Sequence, residues 1–473
     1  MHSLRKAPAL LAAAALALGA AACSSGHTGA GHAGTGHADT GHAGTGHAGA
    51  GRAESGNAGR QAAGRPGAAA RPQQAAPQAV RLIGDGSTAD TGPQPNQPVF
   101  HRLAPGEQPP QFVVFSWDGA GEDSQKLFSH FREVGERYNA TMTYFLSGVY
   151  MLPGDRKETY APPEHSRGAS DIGFNDRAGI TDTLRELRLA WQDGSEIGTH
   201  FNGHFCGPNG GVGTWSSSEW TSEIQQAEGF VKNWKTNSGL TSLAPLPFDY
   251  GKELVGGRAP CLEGQHNLIP AAKAAGFRYD ASSVGGRQVW PSKIDGVWDF
   301  PLQDIPVPGR AFETLSMDYN FLANQSVTTQ GDPAKRAAWG KQMHDGLAAA
   351  FDRAYRGNRA PLFVGDHFES WNGGVYMKAV EDTIKEVCGR PGVRCVSFKQ
   401  LADWMDVQDP KVLEHLRTLD VGQAPKAGWT TFLGGTPTAA GAPGAGAGSG
   451  AGAGVGAGTS AAAPADRISP ETR

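Results

Sequence analysis

From about residue 98 to residue 433 the chain alternates short, unbroken apolar runs with longer stretches in which apolar residues return every three or four positions. The runs FVVFSW, TMTYFLSG, SEIGTH, FRYDAS and LFVGDH are too short for buried helices and rich in aromatic and β-branched residues, so they predict strands. Between them DSQKLFSHFREVGERY, ITDTLRELRLAWQ, SSSEWTSEIQQAEGFVKNWKT and HNLIPAAKAAG carry the helical period, and MKAVEDTIKEVC with VRCVSF closes the series with one more helix and strand. Repeated strand–helix units predict an α/β domain built on a parallel sheet or barrel, with its site at the C-terminal strand ends.

Outside these limits the pattern fails. Residues 1–22 place Arg5 and Lys6 before the apolar run APALLAAAALALGAAA, which ends in small residues at Cys23. A charged start, an apolar stretch and a small-residue end predict a secretory signal. The ALGAAAC junction resembles a bacterial lipobox, which would make Cys23 a lipidated amino terminus on the outer face of the cell membrane, or otherwise leave the protein secreted. Residues 23–97 read as a Gly/Ala/His-rich tether and 434–473 as a Gly/Ala-rich tail, both with too few large apolar side chains to stay folded. In the tether His27, His32, His37, His42 and His47 recur every five residues. Neutral imidazoles so spaced could capture metal; a flexible spacer is the simpler reading.

Composition narrows the partner. A formal net charge of -4, with both signs mixed along the chain, gives no electrostatic footprint for nucleic acid and suits a neutral ligand such as a glycan. No protein partner is legible, and the membrane enters only through the expected lipid anchor. With Cys23 set aside, Cys206, Cys261, Cys388 and Cys395 remain, an even number that favours disulfides in an exported chain. The turn-rich GRPGVR between Cys388 and Cys395 would let those two meet, leaving Cys206 with Cys261; the other pairings stay open, because sequence does not fix connectivity.

Four predicted strand ends carry polar residues that such a fold would gather at one rim. They are Asp118 in SWDG, His200 and His204 in GTHFNGHF, Arg258 in GGRAPCLEG and His367 in FVGDHFESWNGG. Two histidines four apart could share one face of a helical turn and so one metal, and with Asp118 they would leave a tetrahedral zinc an open position for water. Taken singly, Arg258 reads as a surface ion pair and His367 as a core histidine. Trp215, Trp220, Trp290 and Trp371 could offer flat apolar faces to a sugar ring, or simply pack.

In order and context SWDG, HFNGH, RAP and the strand-borne His367 resemble the motifs of the polysaccharide deacetylase family, the NodB-homology esterases of carbohydrate esterase family 4, over about residues 110–406. The RAP segment and the WPSKIDGVWDFPL after it look most like the chitin deacetylase branch. The resemblance implies a distorted (β/α) barrel, a divalent metal, most readily zinc, and an N-acetylated glycan as substrate. It implies Asp118, His200 and His204 as metal ligands, His367 as the catalytic acid, Arg258 in the motif that orients the catalytic aspartate, and Trp290 as a pocket wall. The family has two aspartates before the glycine, a base and a ligand. Aligned on Gly119, Asp118 takes the ligand position and Trp117 the base position. An indole cannot accept a proton from water. Glu122, Asp123 and Asp366 are the carboxylates that could replace the base; a shifted alignment would instead make Asp118 the base. A non-catalytic carbohydrate-binding lipoprotein on the same fold is the alternative function.

Overall fold

The structure, a computed structural model, describes residues 80–435. Its centre is a nine-stranded, curled sheet. In sheet order come Leu362–His367, Gln111–Asp118, Thr143–Leu146, Glu196–Thr199, Gly256–Gly257, Tyr279–Asp280, Val297–Asp299 and Lys293–Ile294, while Val393–Cys395 pairs with the start of Gln111–Asp118. Every pairing is parallel except the last, Lys293–Ile294 on Val297–Asp299. The expected α/β architecture is therefore present as an open, distorted (β/α) barrel, with isolated parallel bridges at Gly286–Gln303 and Met317–Gly365.

Alternation along Gln111–Asp118 sorts the core into two layers. Val113, Phe115 and Trp117 face outward into a cluster with Phe128 and Phe131 of the helix Leu127–Tyr138, while Phe112 and Val114 face inward with Phe145, Phe300, Phe363 and Phe398. All eight residues of this strand are buried, which is why it reads as an unbroken apolar run rather than an alternating one. The capped helix Phe398–Val407 packs on the inner face near the strand starts, its Phe398 and Lys399 amides donating to Thr143 Oγ1 and Glu196 Oε2.

Several boundaries differ from the expectations. Residues 81–97, assigned above to the tether, belong to the folded body: Arg81–Ile83 and Thr88–Asp90 form a hairpin, Ala89 N donates to Leu246 O at 2.9 Å, and Trp234 Nε1 donates to Ser87 O at 2.7 Å. A polar hairpin held by backbone and indole bonds has no apolar period to announce it. At the other end Gly434 and Gly435 still bond to the helix Gly428–Phe432. FRYDAS yields only the two-residue strand Tyr279–Asp280, and the 21-residue helix Arg336–Arg356 lay outside the predicted elements. Among the described residues no helix is long and apolar enough to cross a membrane. The expected signal, Cys23 and the histidine repeat lie outside the described residues.

Candidate active site

Parallel strands end together, so the polar residues that follow them meet at one rim. Asp118 and His367 are direct partners in register on adjacent strands. Arg258 follows Gly257, and its amide donates to Thr199 O at 3.0 Å, which seats it beside the strand leading to His200. Arg258 is fully buried, not a surface residue. Its guanidinium donates from Nη1 to Asp118 Oδ1 at 2.8 Å and to Ser116 Oγ at 2.8 Å, and from Nε to Ala281 O at 3.0 Å, above the rings of Phe145 and Phe398. Nη2 has no partner. Gly365 makes room for it: a Cβ there would stand 3.1 Å from Nη1 and 2.9 Å from Met317 Cε. Burial alone would raise the Asp118 carboxyl, but Arg258, with His200 and His367, holds it below the usual range, so it is ionised.

His367 is the mirror case. Burial would lower its pKa, yet the Asp318 carboxylate accepts its Nδ1–H at 2.8 Å and its backbone N–H at 2.9 Å, and with Asp118 nearby the imidazole is pushed up to about 9. Its side chain is 26% exposed, which keeps it open to a ligand. Trp371, which is buried, stands 5.5 Å from it, ring to ring, and 6.2 Å from Tyr319, so this indole flanks the imidazole.

The histidine pair departs from the expected helical turn. Residues 200–206 form an irregular loop in which Phe201 and His204 adopt left-handed backbone, φ 58 and 59°. Glu223 and Tyr160 pin that loop: the phenol donates to the carboxylate at 3.0 Å and accepts the Gly203 amide at 3.1 Å. His200 is buried, and its Nδ1–H donates to Arg258 O at 2.8 Å. Its Nε2 is then a lone pair, buried with no partner, the state a metal ligand needs. Burial lowers both imidazoles, His204 to about 3, so both are neutral. The donor types therefore suit a divalent ion. The trio does not close, however. Among the described residues, the one group of three such ligand atoms lying within 4.8 Å of one another is His204, Cys206 and Cys261, and Asp118 is already engaged by Arg258.

Trp117 proves to be no part of the rim. It is fully buried on the outer face, stacked on Phe368 at 4.6 Å and against Phe131 at 4.2 Å. Adjacent strand residues point to opposite faces, so with Asp118 inward the residue before it must face the helices. The three substitute carboxylates fail on position. Glu122 is buried and accepts the amides of Asp123 and Ser129 at the helix start, Asp123 bonds the Gln125 amide in an exposed turn, and Asp366 lies on the strand's outer face, fully buried and held neutral by burial and by Asp318 and Asp118. Trp290 is not a pocket wall either: it is buried against Trp404 and donates to Asn358 O at 2.8 Å. Trp215 and Trp220 are core, each with no exposed surface. Asp280 tethers the arginine loop, accepting from Ser282 Oγ at 2.6 Å, which in turn accepts the Ala259 amide at 2.8 Å.

Two disulfides are present, Cys206–Cys261 and Cys388–Cys395, with Cα atoms 5.9 and 5.5 Å apart. The first joins the histidine loop to the arginine loop, within reach of the roughly 7 Å limit for such bonds. Asp318 and Ser116 went unread in the sequence. Ser116 lies two residues before Asp118 and so on its face, a signal the strand period offers; Asp318 opens the short helix Asp318–Gln325 and carries no motif of its own.

No family model matches the chain, and no curated protein matches it. Among solved structures it is similar to a Mycobacterium smegmatis protein described as a polysaccharide deacetylase, at 15% identity and TM-score 0.37, over 65% of this chain and 93% of that one. It is similar to the chitin deacetylase of Colletotrichum lindemuthianum at 13% identity and TM-score 0.33, over 69% and 96%. It is also similar to a Bacillus anthracis family 4 pseudoenzyme at 12% identity and TM-score 0.33, over 64% and 68%. Likeness at this level is remote.

Proposed function

We propose that the protein is a metal-dependent hydrolase that removes N-acetyl groups from a glycan, with Asp118 as base and His367 as acid. The reading is carried by one observation. Two groups in register on adjacent strands are driven in opposite directions, an aspartate kept ionised by Arg258 and an imidazole kept protonated by Asp318.

Arg258 fixes Asp118, which gives that carboxylate the role of the arginine-oriented base and removes the need for one at Trp117. Asp118 takes the proton from the attacking water, and His367 delivers one to the departing amine. His200 and His204 are the residues that would hold the metal, the former through its buried Nε2. A bound zinc would polarise the amide carbonyl and lower the pKa of water towards ~7. Trp371 flanks the acid from the buried side, where its indole can hold the imidazole in place. Lipidation at Cys23 would set this domain at the outer membrane face; mass spectrometry of the mature amino terminus tests that.

Acetate release from N-acetylglucosamine oligomers, with and without added zinc, tests the activity. Asp118→Ala and His367→Ala should each lower the rate by ~10²–10⁴-fold. The separation of the three expected ligand atoms favours a second reading, a carbohydrate binder without catalysis. Oligomer binding without acetate release at any zinc concentration would establish that instead.

A further inference from the structure

The one tight group of metal-ligating atoms among the described residues is not the expected trio. His204, Cys206 and Cys261 bring one ring nitrogen and two sulfurs within 4.8 Å of one another. His204 Nδ1 lies 3.7 Å from Cys206 Sγ. The sulfurs are now joined, but the bond is reachable, for Cys206 is exposed and Cys261 half-buried.

We propose that opening this disulfide creates a second metal site, with two thiolates and the His204 imidazole holding zinc. A dithiol supplies two electrons and two protons and leaves as its own disulfide; the S–S bond breaks to two thiols; zinc then displaces both thiol protons to solvent. Little movement is required. Zinc–sulfur bonds of ~2.3 Å set tetrahedral sulfurs ~3.8 Å apart, against ~2.05 Å in the disulfide, so they separate by under ~2 Å. Cα atoms 5.9 Å apart already span that geometry. Two sulfurs and one nitrogen with a fourth position open is a known zinc ligand set.

The site has a consequence for the first one. A neutral imidazole carries one lone pair, on one nitrogen. His204 can therefore serve the thiolate site or the His200 site, not both at once. Reduction plus zinc would draw it away from the acid–base pair, so a thiol donor would act as an off-switch. That consequence rests on the proposed hydrolase; the thiolate site does not.

Cobalt(II) tests the site directly, because a thiolate-bound cobalt shows a ligand-to-metal charge-transfer band in the near ultraviolet. The full chain is reduced with a dithiol, freed of it without oxygen and titrated with cobalt. The band should appear at one equivalent and vanish in the Cys206→Ser, Cys261→Ser double variant. A band that persists there arises from Cys388, Cys395 or Cys23 and overturns the proposal, as does no band in the reduced wild type. His204→Ala keeps both cysteines and should bind cobalt at least ~10-fold more weakly; equal affinity also overturns it. Should the double variant fail to fold, zinc protection of Cys206 from maleimide in the reduced wild type, read by mass spectrometry, decides in its place. Equal labelling with and without zinc counts against the site. Acetate release is measured on protein never reduced, so failure of that activity and failure of this site are separate results.

Discussion

At the scale of single residues, the candidate site is built on opposed surroundings. Asp318 bonds both the ring and the backbone of His367, and without its charge, burial alone would pull that imidazole down. Asp318→Asn should therefore move the alkaline limb of acetate release from about 9 to or below the ordinary 6.5, with kcat reduced more than KM. The sign follows from the proposed acid role: His367 would have to carry a proton, and activity would be lost as pH rises through its pKa. The same pair contributes stability that is complete below 6.5 and lost as pH passes about 9. An unchanged alkaline limb in the variant would remove His367 from the acid's place. These environments could not be read from sequence. Asp118 and His367 are legible because each follows an apolar run, and His200 and Arg258 through the GTHFNGHF and GGRAP motifs, but nothing adjacent to Asp318 or Tyr160 marks what they touch.

At the scale of elements, strand alternation decides which residues can meet a ligand. Trp117 is unreadable as a base yet readable as packing, once its neighbour is given the inner face. Trp117→Ala should cost ~3–5 kcal/mol in urea denaturation, because it empties the space between the sheet and the rings of Phe131 and Phe368. Both limbs of the pH profile should stay where they are; a shift in either would mean that the indole reaches the reacting groups. The long parallel strands were clear in the sequence since they are apolar throughout. The two-residue strand Gly256–Gly257 was not, for it is defined by neighbours already in place, and FRYDAS pairs over only two of its residues, Tyr279–Asp280. The spacing of His200 and His204 allows a helical turn where the chain forms a loop, because spacing alone does not distinguish a turn of helix from a chain bent by left-handed residues and pinned through Tyr160.

At the scale of the whole molecule, the hairpin before the barrel is part of its fold. Ser87 receives the Trp234 indole and the Leu246 amide, and Gln94 Nε2 donates to Trp191 O and Ser195 O. A chain cut to begin at residue 98 should lose at least ~2 kcal/mol against one beginning at residue 80, since several buried bonds go at once; equal urea midpoints would return this segment to the tether. Gly365 shows how far such dependence runs. The strand that presents His367 must be bare at that position so that an arginine more than a hundred residues earlier can lie across it to Asp118. A single added methyl would press on the guanidinium that anchors Asp118 without reaching Asp118 or His367 itself, which ties the two halves of the rim to one another's smallest change.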